Sequence, residues 1–166
     1  MVGLSSSINR TNQMPDTRAV VKALYIYTFA TLVEWPKEKR EGDFTIGVFG
    51  EKTDVYDQLY KKYTGKSIGS QKIVVNNYKN RKDIESCHIL YITEFKTQYL
   101  SSIAGSSTSK NTLLVTEKEG ALSNGAIMNF IVDGNRQKYE INKTNARKHK
   151  LVIADRLTKL AARVIQ

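Results

Sequence analysis

The chain has 166 residues, 40% of them hydrophobic and 25% charged, with ten Gly, two Pro and a single Cys. This is the makeup of one globular domain and excludes a disordered, collagenous or disulfide-stapled chain. Against 16 Asp and Glu stand 26 Lys and Arg, a formal charge of +10 that favours anionic partners without choosing among them; with no block of five or six like charges, nucleic acid is not an expected partner.

Residues 1–15, "MVGLSSSINRTNQMP", read as a flexible arm ahead of a folded domain at 16–166. They lack the charged start and apolar centre of a secretory leader. In "VKALYIYTFATLVEWP", residues 21–36, Val21, Leu24, Tyr25, Thr28, Phe29, Leu32 and Val33 recur at helical spacing after Asp16 or Thr17 as N-cap, and Pro36 is the expected stop. The helix is apolar nearly all round yet too short for the ~20 residues of a bilayer crossing, so it is expected inside the core.

"FTIGVFG" (44–50) then reads as a strand and residues 52–63 as a helix, followed by strands at 72–78 and 87–93, a helix at 95–103, and strands at 111–117, 125–133 and 137–142. Asp133-Gly134-Asn135 is the expected hairpin turn between the last two. Residues 154–165 read as a closing helix with Leu157, Leu160, Ala161 and Val164 toward the core and Arg156, Lys159 and Arg163 outward. Alternating strands and helices, with "HILYI" and "TLLV" apolar on both faces, predict a three-layer α/β/α domain: a mainly parallel sheet of five to six strands with an antiparallel hairpin near the C-terminus.

Catalytic signatures are weak. "TGKS" (64–67) lacks the earlier Gly of a phosphate-binding loop and follows a helix, so it reads as a helix-ending turn at Gly65. Cys87 and His88 are adjacent in a strand and point to opposite faces, which excludes one metal ligated by both; no metal and no cofactor are expected. Cys87, with no local cation in the sequence, reads as a small buried residue. There is no Gly-x-Ser-x-Gly elbow, and the strand ends offer Glu51 and Glu94 without a phosphoacceptor Asp. The densest cationic feature, Arg147 to Lys150 with Arg156, makes Arg147, His149 and Arg156 the candidate binding residues for a small anionic ligand.

Three separated segments, "VKALYIYTFATLVEWP", "CHILYI" and "GAIMNFIVDGNRQKYEINKTNARKHKLVIADRLTKLA", together resemble the YfiR/HmsC-like family of bacterial periplasmic proteins over about residues 20–164. The more specific parts are Glu34-Trp35-Pro36 and the strand end Tyr139-Glu140-Ile141-Asn142. The resemblance implies a domain without catalytic activity, exported to the periplasm, that restrains an inner-membrane diguanylate cyclase by protein–protein contact and so limits cyclic-di-GMP and biofilm. Some relatives are extracytoplasmic sensor regions of signalling proteins, so a sensor kinase is the alternative membrane partner, and homodimers and small-ligand binding are reported in the family. The best-known member carries disulfides tied to redox control, where this chain has only Cys87; the Gly-Gly pair common before the "M-I-x-F" strand is Gly125-Ala126 here.

Overall fold

A computed structural model describes Gly3 and residues 16–166; apart from Gly3, the arm expected at 1–15 lies outside the described residues. In chain order the elements are α1 (Thr17–Leu32), β1 (Val33–Glu34), β2 (Phe44–Phe49), α2 (Asp54–Tyr63), β3 (Ser67–Ile68), β4 (Gln71–Tyr78) and β5 (Ile89–Ile92). They continue with α3 (Leu100–Ala104), β6 (Leu113–Thr116), β7 (Met128–Asp133), β8 (Arg136–Asn142), α4 (Lys143–Lys148), β9 (Val152–Ile153), α5 (Asp155–Leu160) and β10 (Arg163–Ile165). The main sheet has the order β10-β8-β7-β6-β5-β2-β4-β3. Strands β4, β2, β5, β6 and β7 are mutually parallel, β8 returns antiparallel to β7, and β10 runs parallel to β8.

The central strands feed two cores because successive side chains point to opposite faces. Phe44, Ile46, Val48, Ile89, Tyr91, Leu113 and Val115 pack under α1, α2 and α5, whereas Phe49, Leu90, Ile92 and Leu114 pack against α3 and the neighbouring turns. This is the three-layer arrangement the strand pattern predicts. The sheet is wider than five to six strands: the short β3 and β10 extend its two margins, and β1 with β9 forms a separate ladder.

Helix α1 is capped by Asp16, whose carboxylate accepts from the Arg18 N–H at 3.0 Å. Its buried residues are Ala19, Ala23, Ile26, Phe29 and Ala30, while Leu24, placed on the inner stripe by spacing, is 52% exposed. A helix apolar on every side has no moment to choose a face; three small alanines choose it by allowing close approach to the sheet. The helix also ends four residues before Pro36, because Val33 and Glu34 turn away to pair with Ile153 and Val152. Trp35 then inserts edge-on against Phe44, ring centroids 5.0 Å apart, and donates its indole N–H to the His88 carbonyl.

The closing helix is shorter than its spacing suggests. It stops at Leu160, which is 61% exposed, and Arg163–Ile165 form β10 instead. The outer edge of β8 carries unpaired backbone groups that a strand can satisfy and a helix cannot; Ala162 accordingly donates to the Tyr139 carbonyl at 2.9 Å. The helix expected at 95–103 is likewise divided into a 3₁₀ segment, Glu94–Tyr99, and α3. The hairpin closes as expected, with Asp133 opposite Arg136 and Gly134 at φ 61°.

Candidate functional site

The chain runs from β2 outward to β4 and then back to place β5 on the other side of β2, so the strand order reverses between β2 and β5. In open α/β sheets the crevice beyond the carboxyl ends at such a reversal is the usual place for ligands. Here Gly50, at φ 146°, follows β2, and a Cβ on it would overlap the Thr93 hydroxyl that follows β5. Glu51 and Glu94 continue these two adjacent strands and are exposed. A cleft of about 680 Å³ opens beside Glu94, toward β6, β7 and β8 and away from β2, lined by Glu94, Glu117, Glu119 and Glu140 with Lys22 and Arg163, over an apolar wall of Phe130 and Ile131.

Two of its carboxylates are tied down. Glu117 pairs with Lys22 of α1, and Glu140 accepts from Arg163 of β10 at 2.9 Å. Behind Glu140 lies a buried polar chain: Asn129 donates to Glu140 at 3.0 Å and accepts from the Thr116 hydroxyl at 2.7 Å and the Lys118 N–H at 3.0 Å. Burial, followed by the Glu117 charge, pushes the Tyr91 phenol well above its ordinary range. Asn129, Thr116 and Glu140 were missed as a group in the sequence, where only Asn129 interrupts an apolar run; Thr116 ends its strand and Glu140 lies in a largely polar one.

At the opposite, amino end of the parallel strands a second cleft of about 510 Å³ is basic. Its lining includes Ser106, Ser107, Lys110, Asn145, Lys148 and His149. His149 is only 8% exposed, and its Nδ1 lies 2.9 Å from the Ser109 carbonyl. Burial, assisted by the Lys148 charge, holds its pKa below the ordinary value. Gly125 closes one side; at φ 114°, a Cβ there would meet the Ala104 Cβ at 2.6 Å, so the glycine is required whatever stands in the following position.

The three candidate anion-binding residues fall in different places. His149 stands in the basic cleft; Arg147 lines a separate cleft of about 300 Å³ with Lys143 and Leu151, its guanidinium donating to Thr144; Arg156 is exposed on α5. Lys110 and Lys148 are the cations the fold brings beside His149. Cys87 is buried, as the sequence predicts, but the fold brings a cation near it that the sequence did not show: Lys39 donates to the Cys87 carbonyl at 3.2 Å. Burial outweighs that cation and pushes the thiol up to about 12. Among the described residues no three His, Cys, Asp or Glu side chains gather as a metal site, and no helix is long and apolar enough to cross a membrane.

The chain is thus a doubly wound α/β domain with charged clefts at both ends of its sheet. The profile of the YfiR/HmsC-like family matches residues 19–162, and the chain belongs to that family. Its members are known as periplasmic regulators of diguanylate cyclases and are generally non-catalytic. No curated protein matches the chain in sequence. Among solved structures, a conserved domain protein from Vibrio cholerae O1 biovar El Tor strain N16961 is similar with a TM-score of 0.54 and 14% identity, over 88% of this chain and 60% of that one. The ABC domain from Streptococcus pneumonia solved in complex with L-Trp has a TM-score of 0.49 and 12% identity, over 73% and 56%. At such identities the Vibrio likeness is one of fold, and the chain spans less than two thirds of either structure.

Proposed function

We propose that this chain is a non-enzymatic periplasmic regulator that restrains an inner-membrane diguanylate cyclase by protein–protein contact. The family match across residues 19–162 carries the reading. The exterior is suited to it: the net charge of +10 steers the domain toward acidic partners and anionic surfaces. Phe95, 85% exposed just beyond β5, offers an aromatic anchor of the type that dominates protein interfaces. The test is co-purification of the exported, tagged chain from membranes with the periplasmic portion of a diguanylate cyclase. Recovery of a stoichiometric, salt-stable complex supports the proposal, and recovery of free chain from cells containing both proteins sinks it.

A second reading, an extracytoplasmic sensor of a small anionic ligand, is favoured by one observation: His149, Lys110 and Lys148 line one cleft whose lining residues include no carboxylate.

A further inference from the structure

The basic cleft has a polar feature that narrows the ligand. A carbonyl oxygen only accepts, so the 2.9 Å approach of His149 Nδ1 to the Ser109 carbonyl places the ring hydrogen on Nδ1. Neutral His149 therefore has a bare lone pair on Nε2. That atom makes no hydrogen bond to any described residue, and the residue lines the cleft although it is more than nine-tenths buried as a whole. The polar side chains that line the cleft with it are Lys148 on α4, Lys110 at the end of the serine loop, Asn145, whose amide nitrogen already donates to the Leu122 and Ala126 carbonyls, and Ser106 and Ser107.

Two lysines attract an anion, but a bare Nε2 repels an anion that has only lone pairs. A fully ionised carboxylate or sulfate ester meets that repulsion unless the ring is first protonated, which burial and Lys148 oppose. A phosphate monoester, with a second pKa near 6, carries a removable proton in the neutral range. Its P–OH donates to Nε2 while its other oxygens accept from the lysines and hydroxyls.

Resting on the sensor reading, we infer that the cleft of Lys110, Lys148 and His149 is a binding site for a phosphate monoester, with one proton shared between the ester and Nε2 of His149. A soluble sugar or glycerol phosphate and the headgroup of phosphatidic acid share this chemistry.

The test is calorimetric titration of the chain with glycerol 3-phosphate, the corresponding sulfate monoester and succinate, from pH 6 to pH 8. The phosphate ester is expected to bind at least ~10-fold more tightly than the sulfate ester, the scale of one hydrogen bond to a charged group. Its affinity is expected to fall by up to ~10-fold per pH unit above its second pKa as the shared proton is lost. Lys110→Ala and Lys148→Ala, both at exposed positions, should each weaken it ~10-fold or more. The charge-matched pair Lys61→Ala and Lys62→Ala on α2 should leave it unchanged. Phosphatidic acid vesicles set against phosphatidylglycerol vesicles, a phosphodiester, separate the sources: retention on the first alone that is lost in the Lys110 and Lys148 variants indicates the headgroup, and binding of glycerol phosphate alone a soluble ester. Equal binding of the sulfate ester or of succinate overturns the phosphate assignment and leaves the sensor reading standing; no binding of any of these probes overturns both.

Discussion

Replacing Asn129 by Leu removes the centre of the polar chain behind the carboxyl-end cleft while keeping the branched shape and the number of heavy atoms. Asn129 is fully buried and serves three partners: Glu140, Thr116 and Lys118. Loss of its hydrogen bond to the Glu140 carboxylate costs ~1.5–3 kcal/mol, and the Lys118 N–H left without its acceptor about 1 kcal/mol more. The Thr116 hydroxyl recovers a partner in the Met128 carbonyl, already 3.5 Å away. The added apolar side chain returns about 1 kcal/mol of burial. A net loss of about 2 kcal/mol is expected, which lowers the urea midpoint by about 1 M at a typical slope for a small domain. Trp35, the only Trp in the chain and a buried one, reports unfolding by fluorescence. In a cycle with Glu140→Leu, the double variant should be less destabilised than the sum of the singles by ~1 kcal/mol or more, since the second change removes the group the first strands. A single-variant loss below ~0.5 kcal/mol, or strict additivity, would refute the network.

Acid should destabilise the fold below pH about 6.5. His88 accepts from the Thr45 N–H at Nδ1, donates from Nε2 to the Lys39 carbonyl and stacks on Phe44, and burial lowers its pKa as it does that of His149. The unfolded chain gains these protons first, so stability is fully present above the ordinary histidine value. It falls as pH drops toward the depressed folded values, by at most ~1.4 kcal/mol per pH unit for each histidine before solvent screening; urea melts that are flat from pH 7 to 5 contradict this. Cys87, buried and with its thiol pushed up to about 12, should not react with a thiol reagent at pH 8 until the chain is unfolded in urea, and fast labelling of the native protein would be the contrary result. Phe95→Ser should leave stability within ~0.5 kcal/mol yet weaken a cyclase complex by 2 kcal/mol or so, seen as unchanged melting beside lost co-purification; an intact complex removes Phe95 from the interface.

The layer order was legible because its signals are local. Two-sided apolar strands such as "HILYI" announce a covered parallel sheet, and Gly134-Asn135 announces its hairpin. The face of α1 was not legible, because apolar residues surround that helix and only tertiary contact distinguishes Ala23 from Leu24. The closing segment misled for a similar reason: Leu160 and Val164 share a helical stripe in sequence, but the free edge of β8 draws residues 163–165 into a strand. Of the candidate binding residues, His149 was legible in the basic cluster at 147–150. Lys110 was hidden at the end of a serine-rich loop, and Arg147, one residue from Lys148, was carried into a different cleft by the turn of α4. The resemblance carried by Glu34-Trp35-Pro36 and Tyr139–Asn142 pointed to the family that the profile match shows.

Restraint of a diguanylate cyclase from the periplasmic side is tested most directly by the cyclic-di-GMP content of cells making a cognate inner-membrane cyclase together with this chain, either exported or retained in the cytoplasm. A marked fall in the nucleotide is expected with the exported form alone. Equal levels with exported chain, retained chain and no chain at all would contradict it.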